Sequence, residues 1–158
     1  MRKLILIGIT AVLAIPWVLS AADTDLAVVV NKSNEASNLT KSQLRKLVLG
    51  EQGSWPGGQR VTIAFRSPGN PERTSVLKTV CRMSEDEYDQ HALHADFTGE
   101  GTVRPKVVGS AAAVRQLVAS APGAIGFLRL ADVNDSVKVV SVDGVAAGQP
   151  EYKIKVGE

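Results

Sequence analysis

The sequence predicts an α/β domain with a largely parallel sheet flanked by helices, on three observations. Short apolar runs recur at 26–30, 60–65, 106–108, 123–127 and 137–145. Between them, apolar residues fall three and four apart, the period of a helix with one buried face. Capping sequences and Gly or Pro stops mark the changes from one period to the other.

The elements follow in order. Leu26 to Val30 is continuously apolar and Val-rich, the pattern of a strand covered on both faces in a parallel sheet. Asn31 to Asn38 is its polar exit loop. Thr40 with Gln43 forms a capping box, Leu39 and Leu44 sit at staple positions, and Leu44, Leu47 and Val48 share one face. Gly50 is placed to end this helix in a left-handed turn. A loop from Glu51 to Gln59, holding Trp55, Pro56, Gly57 and Gly58, leads to a strand over Arg60 to Phe65. Pro71, at a first helical position, starts a helix reaching about Arg82. Ser84 with Glu87 is a second capping box, with Met83 facing Tyr88, and its helix ends before Gly99. After a loop over Thr98 to Thr102, Lys106 to Val108 is a short strand. Ser110 caps a helix with the stripe Val114, Leu117, Val118 and Ala121, stopped by Pro122-Gly123. Glu151 to Val156 alternates weakly and reads as an edge strand, with terminal disorder as the alternative.

Arg2 and Lys3, the apolar run Leu4 to Leu19, and Ser20-Ala21-Ala22 are the three regions of a signal peptide over residues 1–22. Residues 23–158 are then one exported, periplasmic domain with no stable membrane insertion once the leader is gone. An uncleaved anchor helix is the alternative, and Pro16 argues against it. Past residue 22 the chain holds sixteen basic and sixteen acidic residues. With no net positive field, and aromatic residues at only 4%, nucleic acid is excluded as an expected partner. Cys81 is the lone cysteine, so no internal disulfide forms. It falls on the apolar side of a helical pattern with Val76, Leu77 and Val80, which favours a buried structural thiol over a reactive one.

The candidate site is the loop from Arg66 to Thr74, which joins a strand end to a helix start. Ligands of open α/β sheets bind beyond such strand ends, and unpaired N–H groups at a helix start favour anions. Arg66 and Arg73 add charged donors; Ser67, Gly69, Asn70 and Thr74 add neutral ones. In the competing reading Asn70 merely caps the helix, Glu72 complements its dipole and both arginines are solvated. His91 and His94, three apart with Asp89 and Asp96 nearby, offer a metal site as a weaker alternative to a solvated face. The acidic run Glu85, Asp86, Glu87 and Asp89 is explained by the dipole of its helix. No nucleophile-base order, nucleotide loop or paired carboxylates stand out, so neither an enzyme nor a cofactor is expected.

Taken in order, Leu26-Ala-Val-Val-Val-Asn31, Leu39 to Leu44, Leu49-Gly50, Trp55, Gly123-Ala-Ile-Gly-Phe127 and Val137 to Val145 resemble the phosphate-binding proteins that serve ABC importers, and their shorter single-lobe relatives. The resemblance spans Leu26 to Val156. It implies a single lobe of a type 2 periplasmic-binding-protein-like fold, without catalysis, that binds phosphate or another small oxyanion. In that family the loop is an arginine, a spacer and a Ser-Gly-Thr triplet. Arg66 and Gly69 match it. Asn70-Pro71-Glu72 departs from it, because Pro71 has no N–H and Glu72 brings negative charge. Full-length members close two lobes on the anion, whereas this chain has length for one. Weak oxyanion binding is therefore the expected function. The rival is an interaction module that has lost the anion site and docks on an envelope protein or a second subunit.

Overall fold

The computed structural model describes residues 24–100 and 103–157, so the leader expected over 1–22 lies outside the described residues. Strands β1 (Leu26–Val30), β2 (Asn38–Leu39), β3 (Thr62–Arg66), β4 (Lys106–Val108), β5 (Ala124–Arg129) and β6 (Lys138–Val142) form a six-stranded sheet in the order β2-β6-β1-β5-β3-β4. It is flanked by α1 (Lys41–Val48), α2 (Pro71–Val76), α3 (Glu85–Thr98) and α4 (Ala111–Ser120).

The sheet is mixed. β3 runs parallel to β4 and β5, and β2 runs parallel to β6. β1 is buried along its whole length, as its apolar run predicts, yet it is antiparallel to both neighbours. Burial on both faces produces the same sequence pattern in either direction, so the run gave no information on polarity. β1 also separates β5 from β6, whose two glycine-punctuated segments are therefore not adjacent.

Alternate residues of β1 serve two cores. Leu26, Val28 and Val30 join Leu44, Leu47, Phe65, Leu77 and Phe127 on one face, while Ala27 and Val29 join Val114, Val118 and Leu128 on the other. Gly126 is what lets α4 lie so close to the sheet, because a Cβ there would come within 2.8 Å of Val114 Cγ1 and 3.0 Å of Val118 Cγ2.

Local capping signals have the predicted geometry. Thr40 and Gln43 make both bonds of their capping box, as do Ser84 and Glu87, and Ser110 accepts from the Ala113 N–H. The helix expected from Pro71 to Arg82 changes character after Val76. Leu77–Cys81 form a wider π turn, and Arg82 closes it in the left-handed region at φ 57. This turn carries Leu77, Val80 and Cys81 into the core. Burial pushes the Cys81 thiol up to about 12, against a smaller lowering by Arg45.

One segment makes contacts the sequence did not foretell, and another differs from expectation. Asn31, placed in an exit loop, donates from Nδ2 to the Val118 and Ala119 carbonyls at 2.9 and 2.8 Å, tying that loop to the last turn of α4. Glu151 to Val156 forms no edge strand. It makes a single bridge between Lys155 and Asp25, with Tyr152 and Ile154 buried and the Tyr152 hydroxyl donating to the Leu26 carbonyl at 2.8 Å.

Candidate functional site

The carboxyl ends of β5, β3 and β4 share one edge, because Ala64 pairs with Gly126 and Arg66 with Val108 in parallel register. Arg66 is the last residue of β3 and Arg129 the last of β5. The chain then turns through Ser67 to Asn70, with the Asn70 N–H donating to the Ser67 carbonyl at 3.1 Å and Gly69 at φ +79. Asn70 Oδ1 caps α2 by accepting from the Glu72 N–H at 3.0 Å.

Two carboxylates of the chain already occupy four of the donors of this loop, on Arg66, Gly69, Arg73 and Thr74. Glu72 is buried; its Oε2 accepts from Arg66 Nη1 at 2.9 Å and its Oε1 from Arg129 Nε at 3.3 Å. Glu85, at the start of α3, accepts from the Gly69 N–H at 3.4 Å, Thr74 Oγ1 at 3.3 Å and Arg73 Nε at 2.8 Å. Gly69, Arg73 and Thr74 thus converge on one carboxylate and Arg66 on another, while Ser67 contributes its carbonyl to the turn.

The arginines are not solvated. Arg73 is 4% exposed, and its guanidinium lies 5.0 Å from the centre of the Phe65 ring and 5.4 Å from that of Tyr88. Arg66 Nη2 donates to the Gly109 carbonyl at 3.3 Å, and its Nε is buried without a partner. Tyr88 donates to the Val48 carbonyl at 3.0 Å; burial pushes its phenol up to about 12, with Arg73 acting in the opposite direction.

Sequence reasoning missed Arg129 and Glu85. Arg129 enters only through the register of β5 against β3. Glu85 satisfies the helix dipole as predicted, and the same side chain reaches back to the preceding loop. Chemically, the two carboxylates take up hydrogen bonds that an external oxyanion would otherwise make. Among the described residues, no three or more His, Cys, Asp or Glu side chains gather as metal ligands, so His91 and His94 lack a completing set. A cavity of about 340 Å³ lies elsewhere, beyond the opposite edge of β3 and β5 and beside Trp55, whose Nε1 donates to the Gly123 carbonyl at 2.9 Å.

No protein-family model matches the chain. It is 28% identical over 139 residues to the phosphate-binding protein PstS of Bacillus subtilis, covering 84% of this chain and 40% of that protein. A putative phosphate ABC transporter substrate-binding protein with bound phosphate, from Clostridium perfringens, superposes with a TM-score of 0.69 at 24% identity, over 84% of this chain and 53% of that one. An ABC-type phosphate transport receptor from Vibrio cholerae gives 0.64 at 23% identity, over 78% and 48%. The fold is a single α/β lobe, a mixed sheet flanked by helices, like that of these solved binding proteins. The relatives point consistently to the substrate-binding proteins of phosphate ABC transporters, a family of non-catalytic solute receptors. The chain spans 40% of the length of its curated relative.

Proposed function

We propose that this chain is an exported, non-enzymatic solute-binding lobe of the type 2 periplasmic-binding-protein fold, its leader spanning residues 1–22 and its one domain residues 23–158. In this reading it holds phosphate or a similar oxyanion weakly at the Arg66–Thr74 loop. The observation that supports this most is the convergence of Gly69, Arg73 and Thr74 on a single carboxylate, Glu85. A loop that gathers a backbone N–H, a guanidinium and a hydroxyl around one anionic group has the donors of an oxyanion site. Weakness follows from the same contacts. An incoming anion must displace Glu85, or Glu72 from Arg66 and Arg129, and a single lobe leaves it in contact with water, where charged contacts are screened.

A second reading is favoured by Glu72, which is buried between Arg66 and Arg129 where the family's triplet would donate. Here the anion site is abandoned, and the lobe docks on an envelope protein or a second subunit. Calorimetric titration with phosphate and sulfate, at low and high salt, separates the two readings. Under the first, the parent binds in the millimolar range, and Arg66→Ala weakens binding by about 1.5 to 3 kcal/mol, one charge-assisted contact. Glu72→Gln combined with Glu85→Gln should bind phosphate more tightly than the parent, with melting curves verifying the fold. If neither parent nor variant binds any anion, the second reading stands.

A further inference from the structure

We propose that the cavity beside Trp55 is a second binding site, for a neutral polyhydroxylated molecule about the size of one sugar ring. It lies at the amino-terminal ends of β3 and β5, remote from Arg66 and Arg129, which end the same strands at the opposite edge. Its volume of about 340 Å³ falls at the small end of the range, about 300 to 1,000 Å³, typical of small-molecule pockets.

The chemistry of the walls selects the ligand. Five carboxamide residues line the cavity, Asn34, Asn38, Gln43, Gln52 and Gln59, and among the described residues Glu35 is the only charged one in its lining. Among the described lining residues a phosphate would meet no cation and one carboxylate, and a metal ion would lack the charged ligands it needs. A purely apolar molecule would strip water from the amides without replacing its hydrogen bonds. Sugar hydroxyls both donate and accept, as carboxamides do, so the two sets are complementary. Trp55, Pro56, Leu39 and Leu47 supply apolar wall for the C–H faces that every sugar ring also presents.

Asn34 shapes the wall. It is 4% exposed, its Oδ1 accepts from the Ala36 N–H at 2.9 Å, and its Nδ2 is buried without a partner. With almost no surface reachable by solvent, this amide anchors the loop that forms the wall and does not itself face the cavity. The carbonyl ends of Asn38 and Gln43 are likewise held by backbone N–H groups, of Gly144 and Thr40, each at 2.9 Å. Those bonds leave the amino ends of both side chains as their donors. Lys138 Nζ donates to the Asn34 carbonyl, fixing the loop from the β6 side.

The full chain carrying Trp17→Phe retains Trp55 as its one tryptophan, so indole emission reports on this cavity. Titration with glucose, galactose, N-acetylglucosamine and inositol should give a saturable change with at least one of them. Gln59→Ala, on an exposed loop and therefore able to fold, should weaken that binding about five-fold, the worth of one hydrogen bond. Asn34→Ala, which removes the anchor of the wall loop, should also weaken it, with melting curves as the fold control. Three results would each overturn the proposal: no saturable change with any polyol up to about 50 mM, which leaves the cavity to water; equal or tighter binding of phosphate or glycylglycine at Trp55; or undiminished sugar binding by Gln59→Ala.

Discussion

The two edges of the sheet handle their polar groups in opposite ways. At the carboxyl ends of β3 and β5, three arginines meet two glutamates, and of the buried side-chain polar atoms there Arg66 Nε is left without a partner. At the other edge, neutral amides surround a cavity floored by Leu39 and Leu47. Residue types alone would assign ligand binding to the first edge, since it holds the guanidiniums. The contacts show that cationic loops can be neutralised from within, so that a charged cluster is less open to ligand than a neutral one. Occupancy of the donors, rather than their identity, separates the two edges.

This contrast has energetic consequences that mutation can break. The apolar floor of the neutral edge is part of the main core, with Leu47 only 1% exposed. Leu47→Ala should cost about 2 to 5 kcal/mol, measured as a fall in the urea midpoint at constant slope. Arg73→Ala should cost less, about 2 to 3 kcal/mol. That is below the usual figure for breaking a buried pair, because Glu85 retains 23% side-chain exposure and regains water. Should the two variants rank in reverse, the charged edge would be the stronger support of the fold.

The smallest effect joins the edges through Tyr88, which underlies Arg73 and bonds to the end of α1. Its phenol is raised from 10.0 to about 12 by burial. The folded state therefore keeps a proton that the unfolded state releases, and stability declines as pH rises from 10 towards 12. Below pH 10 this contribution is fully present, so Tyr88→Phe should flatten the alkaline limb of a stability-pH profile and leave its neutral region unchanged, apart from the lost hydrogen bond to Val48. Cys81, held protonated up to about 12, should resist iodoacetamide in the native protein at pH 8 and react on unfolding.

Most of what depended on near neighbours was legible in the sequence, the π turn after Val76 excepted. Thr40 with Gln43, Ser84 with Glu87, and Asn70 ahead of Pro71 each specify a cap within three residues, and each cap forms. The loop from Arg66 to Thr74 was equally legible as a strand-to-helix junction. What else failed required partners distant in sequence. The direction of β1 depends on strands a hundred residues later, and its apolar run is the same in either orientation. Arg129 reaches Glu72 only once β5 lies beside β3. Glu85 had a sufficient local explanation in its helix dipole, which concealed its bonds to Gly69, Arg73 and Thr74.

The bridge between Asp25 and Lys155 bears on how the chain folds over time. Asp25 is buried, its Oδ1 accepting from Lys155 Nζ at 2.6 Å and its Oδ2 from the Gly148 N–H at 2.7 Å, while the Leu26 N–H reaches the Ile154 carbonyl at 2.8 Å. β1, the central strand, thus has every hydrogen-bonding partner in the last third of the chain. A nascent chain emerging from the ribosome cannot complete this sheet until residue 142 has been made, nor close the bridge to Asp25 until residue 155 follows. Contacts of such long sequence separation make folding slow, and a long interval with β1 unpaired leaves an apolar strand open to chaperones and to aggregation alike.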